Sequence, residues 1–132
     1  MVSWRQTIPG GIRSGLRNDD TGGFGSFMRI LFDQGTPVPL RHYLAGHTVD
    51  VAHERGWSNL SNGALLDAAE RDGYQLFITT DQNLRYQQNL ANRQIAIIVL
   101  LSTSWPRIRL RVDDVRVAVD AINLGDYVEI PI

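Results

Sequence analysis

Cysteine is absent from this sequence of 132 residues. Its absence excludes disulfide scaffolds, thiolate nucleophiles and cysteine-based zinc sites. Lysine is absent too, since all 13 basic residues are arginine. Without an ammonium group the chain cannot build a P-loop phosphate site, a Schiff base or a receiver-type phosphoacceptor site. Neither sign of charge dominates: the formal net is −1, so no overall basic field draws in nucleic acid. The longest apolar run, 95–101, is far shorter than the roughly twenty residues that cross a bilayer. No charged-then-apolar leader opens the chain, so a cytoplasmic protein without membrane association is expected. With 43% hydrophobic and 20% charged residues, one compact α/β-type domain remains, and its working chemistry is Asp, Glu, His, Arg and amides.

Glycine is unevenly spread. Residues 1–27 hold six of the 12 glycines and no stretch with helix or strand period. They read as an extension or linker, from which Trp4, Ile8, Phe24 and Phe27 could dock on a partner surface. Gly22-Gly23-Phe24-Gly25 follows no strand and lacks the dinucleotide fingerprint. The domain itself is expected over 28–132 and is slightly acidic. Strands are expected at 29–33, 47–52, 75–79 and 95–101, the last an unbroken apolar run of the kind buried on both faces of a sheet. Helices are expected from Pro37 to about Leu44, from a cap at Ser61 or Asn62 to Gly73, and over about 83–92. Residues 53–60, with Trp57, read as a loop, and Pro106 as a break. Val115, Ala118, Val119 and Ile122 follow the spacing of an amphipathic helix, and 127–132 suit a last edge strand.

Strands separated by helices imply right-handed crossovers and a mostly parallel sheet, whose ligands bind beyond the carboxyl ends of the strands. Asp33 and Asp81 stand at two such ends. Either alone is most simply an Asx-turn or a helix cap. Together at one rim they suit a hard cation, Mg²⁺ or Mn²⁺, with Gln34, Asn62, Asn83 and Asn89 as outer-shell amides. Asp67 is a weaker third acid; four residues before Arg71, it suits an exposed pair on one helix face. His42, His47 and His53 lack the spacing of a zinc triad, and no G-x-S-x-G turn supports a serine hydrolase. Arg107, Arg109 and Arg111 would share one face if extended. They then form either a phosphate-binding stripe or a solvated face paired with Asp113 and Asp114. Arg85 and Arg93, near Asp81, are further contacts for an anion.

Phe32-Asp33-Gln34-Gly35-Thr36-Pro37, Glu54-Arg55-Gly56-Trp57, Leu60-Ser61-Asn62-Gly63 and, most specifically, Thr79-Thr80-Asp81-Gln82-Asn83-Leu84 resemble a PIN-like domain. The likeness spans about Met28 to Trp105 and is to the small branch of that superfamily related to bacterial VapC-type toxins. It implies a three-layer α/β/α fold with a parallel sheet. It also implies Mg²⁺- or Mn²⁺-dependent cleavage of RNA, often as the toxin of a toxin–antitoxin pair. Asp33 matches the first metal-binding acid of the pattern and Asp81 the later one, while Asn83 stands where many relatives carry a further acid. Ala64 occupies the place of another, and Asp67, one turn later, is the candidate to replace it. The expected function is therefore a metal-dependent ribonuclease with Asp33, Asp81 and Asp67 as catalytic acids. Arg85, Arg93 and Arg107 would be the RNA contacts, and an antitoxin or a second copy the protein partner. The alternative is a weak or inactive PIN-like module that binds RNA or a protein. A phosphatase or DNA nuclease on the same acids is a third reading.

Overall fold

The computed structural model describes residues 27–132; the expected Gly-rich extension lies outside them except for Phe27. Five strands form one sheet: β1 (Arg29–Phe32), β2 (Thr48–Val51), β3 (Leu76–Thr79), β4 (Ala96–Leu100) and β5 (Tyr127–Ile130). Their spatial order is β2-β1-β3-β4-β5, and every neighbouring pair is parallel. The helices are α1 (Asn62–Arg71), α2 (Leu84–Gln87), α3 (Trp105–Arg109) and α4 (Val112–Ala121), with 3-10 turns at Val38–Tyr43 and Ala52–Arg55. No described helix is long and apolar enough to cross a membrane.

Alternation along each strand splits the core into two layers. Ile30, Phe32, Leu76, Ile78, Ile98 and Leu100 point to one face, where Leu40, Leu44, Ile108, Val115 and Val119 cover them. Leu31, Phe77, Ile97 and Val99 point to the other, under Leu65, Leu66 and Ala69 of α1 and Leu84 of α2. The fold is thus a three-layer α/β/α sandwich. β3 and β4 are buried at every position, which is why they read as continuous apolar runs.

The connections carry one departure from expectation. The β1–β2 connection runs outward one way along the sheet on the first face, and α1 and α2 cross back the other way on the second face, so these three share a hand. The β4–β5 connection continues in the direction of α1 and α2 but lies on the first face, with Ile108, Val115 and Val119. It therefore has the opposite hand, against the strong preference for a single one. Burial is the compensating gain. Without the β4–β5 connection, Leu40, Tyr43 and Leu44 of the β1–β2 connection would be left to shield the apolar first face of the sheet.

Four local expectations are corrected. The helix after Pro37 is a 3-10 helix, Val38–Tyr43. The segment after Asn83 is helical for one turn only, Leu84–Gln87. Leu84 is its one buried residue, and the Asn89 side chain binds the backbone N–H of Ala91 instead of continuing the helix. Pro106 does not break the chain but sits in the first turn of α3, behind Ser104, whose Oγ accepts from the Arg107 N–H. Arg107 and Arg109 are consequently on a helix, and the extended arginine stripe does not form.

Candidate functional site

Ligands of parallel α/β sheets bind where the strand order reverses, beyond the strands' carboxyl ends. Here the reversal lies between β1, from which the chain first moves outward to β2, and β3, to which it returns. Asp33 follows β1 and Asp81 follows β3 by two residues, so both acids emerge at that crevice. The ladder continues past the strands, with Asp33 N–H donating to the Ile78 carbonyl at 3.3 Å.

Hydroxyls organise the pair. Thr79 Oγ1 donates to Asp33 Oδ2 at 2.5 Å, and the same oxygen accepts from the Asp81 N–H at 3.0 Å. One buried threonine thus joins the two acids. Thr36 Oγ1 lies 2.6 Å from Asp33 Oδ1 and 2.9 Å from the Ile78 carbonyl, tying the turn after β1 to β3. Burial pushes the Asp33 carboxyl above the usual carboxylate range; the Thr36 and Thr79 hydrogen bonds oppose this, and the Asp81 charge adds to it. Asp81 stands at the start of the α2 turn, its Oδ1 accepting from the Asn83 N–H at 3.0 Å. Its Oδ2 accepts from Asn62 Nδ2 at 2.6 Å. Asn62 is placed there by the cap of α1, where Ser61 Oγ accepts from the Ala64 N–H. Neither Asp33 nor Asp81 forms an ion pair among the described residues.

The crevice is close-packed. A Cβ on Gly35 would stand 2.7 Å from Thr80 Oγ1, so a side chain in the turn after β1 would require Thr80 to shift. Gln34 Nε2 donates to the Ser58 carbonyl, which draws the loop carrying Trp57 against the same turn.

No protein-family model, curated protein or solved structure matches this chain. The site therefore rests on its own geometry.

The remaining expected residues lie elsewhere or in other roles. Asp67, on the exposed side of α1, does not pair with Arg71 but with Arg93 at 2.5 Å. Arg93 also meets Glu70, whose second oxygen accepts from the Gln94 and Ile95 N–H groups, so this cluster fastens the chain entering β4. Among the described residues no three His, Asp or Glu side chains gather as a metal-holding group. Arg107 donates to the Ile132 carbonyl. Asp113 and Asp114 pair with Arg116 and Arg111. His47 accepts from the Met28 N–H and stacks on Phe27, while His53 meets Ser58. Thr36 and Thr79, which organise the acids, carry no signal of their own beyond the Phe32–Pro37 and Thr79–Leu84 blocks.

Proposed function

We propose that this chain is a metal-dependent ribonuclease of PIN type that uses one Mg²⁺ or Mn²⁺ ion at Asp33 and Asp81. The supporting observation is a pair of acids without cationic partners among the described residues, joined through Thr79 at the switch point of a parallel sheet. The donor set suits a hard cation: two carboxylates and the amide of Asn62, whose Nδ2 donates to Asp81. Burial that disfavours ionised Asp33 is what a divalent ion would offset. When bound, the ion would supply electrophilic polarisation of a phosphoryl oxygen and a more acidic water. The chain's own residues do the rest. Thr36 and Thr79 orient Asp33. Asn62 and the Asn83 N–H orient Asp81, and the Gln34–Ser58 contact shapes the wall. A toxin paired with an antitoxin is the setting that the PIN-like resemblance suggests.

A second reading, an inert PIN-like module that binds RNA or a protein, is favoured by one specific observation. No third carboxylate accompanies the pair among the described residues, because the first turn of α1 carries Ala64 and Asp67 is held by Arg93.

Substitution separates the two. Asp33→Asn and Asp81→Asn each keep the side-chain shape and remove a charge, so each abolishes Mn²⁺-dependent RNA cleavage in a gel assay. Mn²⁺ raises the melting temperature of the unmodified protein by mass action and leaves these variants unmoved. Ala64→Glu raises the cleavage rate, while Asp67→Asn leaves it unchanged. An unmodified protein that neither cleaves RNA nor responds to Mn²⁺, with Ala64→Glu equally silent, establishes the inert module.

A further inference from the structure

Tyr86 is the most exposed aromatic side chain among the described residues, at 72%. An exposed ring needs no explanation by itself, but this one is braced. The Arg85 guanidinium lies over it, 4.8 Å from the ring centroid, and donates to its hydroxyl at 2.7 Å. Arg85 is in turn held 3.6 Å from Glu129 of β5, which accepts from the Tyr127 hydroxyl at 2.9 Å. A chain of contacts from the edge strand thus sets the orientation of a ring whose exposed surface faces solvent. The α2 turn that carries the ring is anchored to Asp81, which accepts from the Leu84 N–H through its carbonyl and from the Asn83 N–H through its side chain.

We propose that Tyr86 is the platform on which a base of single-stranded RNA stacks beside the Asp33–Asp81 pair, with Arg85 as its brace; the proposal rests on the ribonuclease reading for its ligand. Charge favours stacking over backbone tracking. Seven of the ten described arginines (41, 55, 71, 85, 93, 111 and 116) are already in ion pairs. A duplex hides its base faces, whereas a single strand presents one at every nucleotide. An aromatic ring pre-set in orientation loses little entropy on binding, so a single platform has a measurable effect.

Fluorescence anisotropy with a labelled single-stranded oligoadenylate, in EDTA so that no cleavage occurs, tests this. Tyr86→Ala raises the Kd roughly 5- to 100-fold, the range of one base–aromatic stack. Tyr86→Phe and Tyr86→Trp stay within a few-fold of the unmodified protein, because the ring and not the hydroxyl does the binding. Binding of the same sequence as a duplex does not respond to Tyr86→Ala, and melting temperatures stay level because the side chain is exposed. Equal single-strand affinity for Tyr86→Ala and the unmodified protein, or no single-strand binding at all, overturns the platform. Loss of binding in Tyr86→Ala alongside an unmodified protein that shows no Mn²⁺-dependent cleavage overturns the nuclease reading and leaves the platform standing.

Discussion

At Asp33, burial outweighs the Thr36 and Thr79 hydroxyls, so the folded chain holds a proton on this carboxyl more tightly than the unfolded chain does. Linkage gives the sign. A carboxyl raised on folding costs nothing below its unfolded pKa; the cost grows as pH rises through the raised value and is constant above it. In metal-free buffer Asp33→Asn is therefore more stable than the unmodified protein at pH 7, and the advantage shrinks as pH falls through the carboxylate range. Urea denaturation in EDTA at a series of pH values measures it. A variant that is less stable at pH 7 and shows no such trend contradicts the burial argument. On the proposed function, the same residue would carry opposite effects on stability and on activity, as functional groups held in unfavourable settings do.

Among the elements, α1 has the most direct bearing on the site, because its cap decides where Asn62 stands. Ser61→Ala removes the acceptor for the Ala64 N–H and lowers stability by about 0.5–2 kcal/mol. On the proposed function it also weakens Mn²⁺ binding through Asn62, which calorimetric titration reads. This cap was legible from a serine ahead of an apolar helical spacing, as was β4 from its unbroken apolar run. The strand ends at Asp33 and Asp81 were legible for the same reason, since runs that end in an acid mark the rim of a sheet. Other elements were hidden. Residues 83–92 have the composition of a helix, and what stops it after Gln87 is a local side-chain hydrogen bond at Asn89 that competes with the backbone. Arg107, Arg109 and Arg111 alternate with apolar residues in a manner that five residues of strand or one turn of helix explain equally, and Ser104 with Pro106 decides for the helix. The role of Thr79 depends on the register that sets β3 against β1, which no local pattern announces.

Over the whole molecule, the connection of opposite hand separates what forms early from what forms late. A crossover that runs against the preferred hand is held by the packing of α3 and α4 on a sheet face that must already exist. Ile108→Ala, which empties a fully buried position in α3, costs about 2–5 kcal/mol and acts on the unfolding rate, with φ near zero. Leu66→Ala in α1, equally buried, slows folding instead. Stopped-flow chevrons distinguish the two limbs, and equal φ values at both positions contradict the order. The consequence reaches to synthesis on the ribosome. Both acids, the threonines between them and the helix that brings Asn62 all precede β4 in the chain, so they emerge before α3, α4 and β5 exist. On the proposed function, a nascent chain that captures a divalent ion at Asp33 and Asp81 would fasten β1 to β3 before α3 and α4 cover the first face of the sheet, and metal supply during translation would then help set how much protein matures.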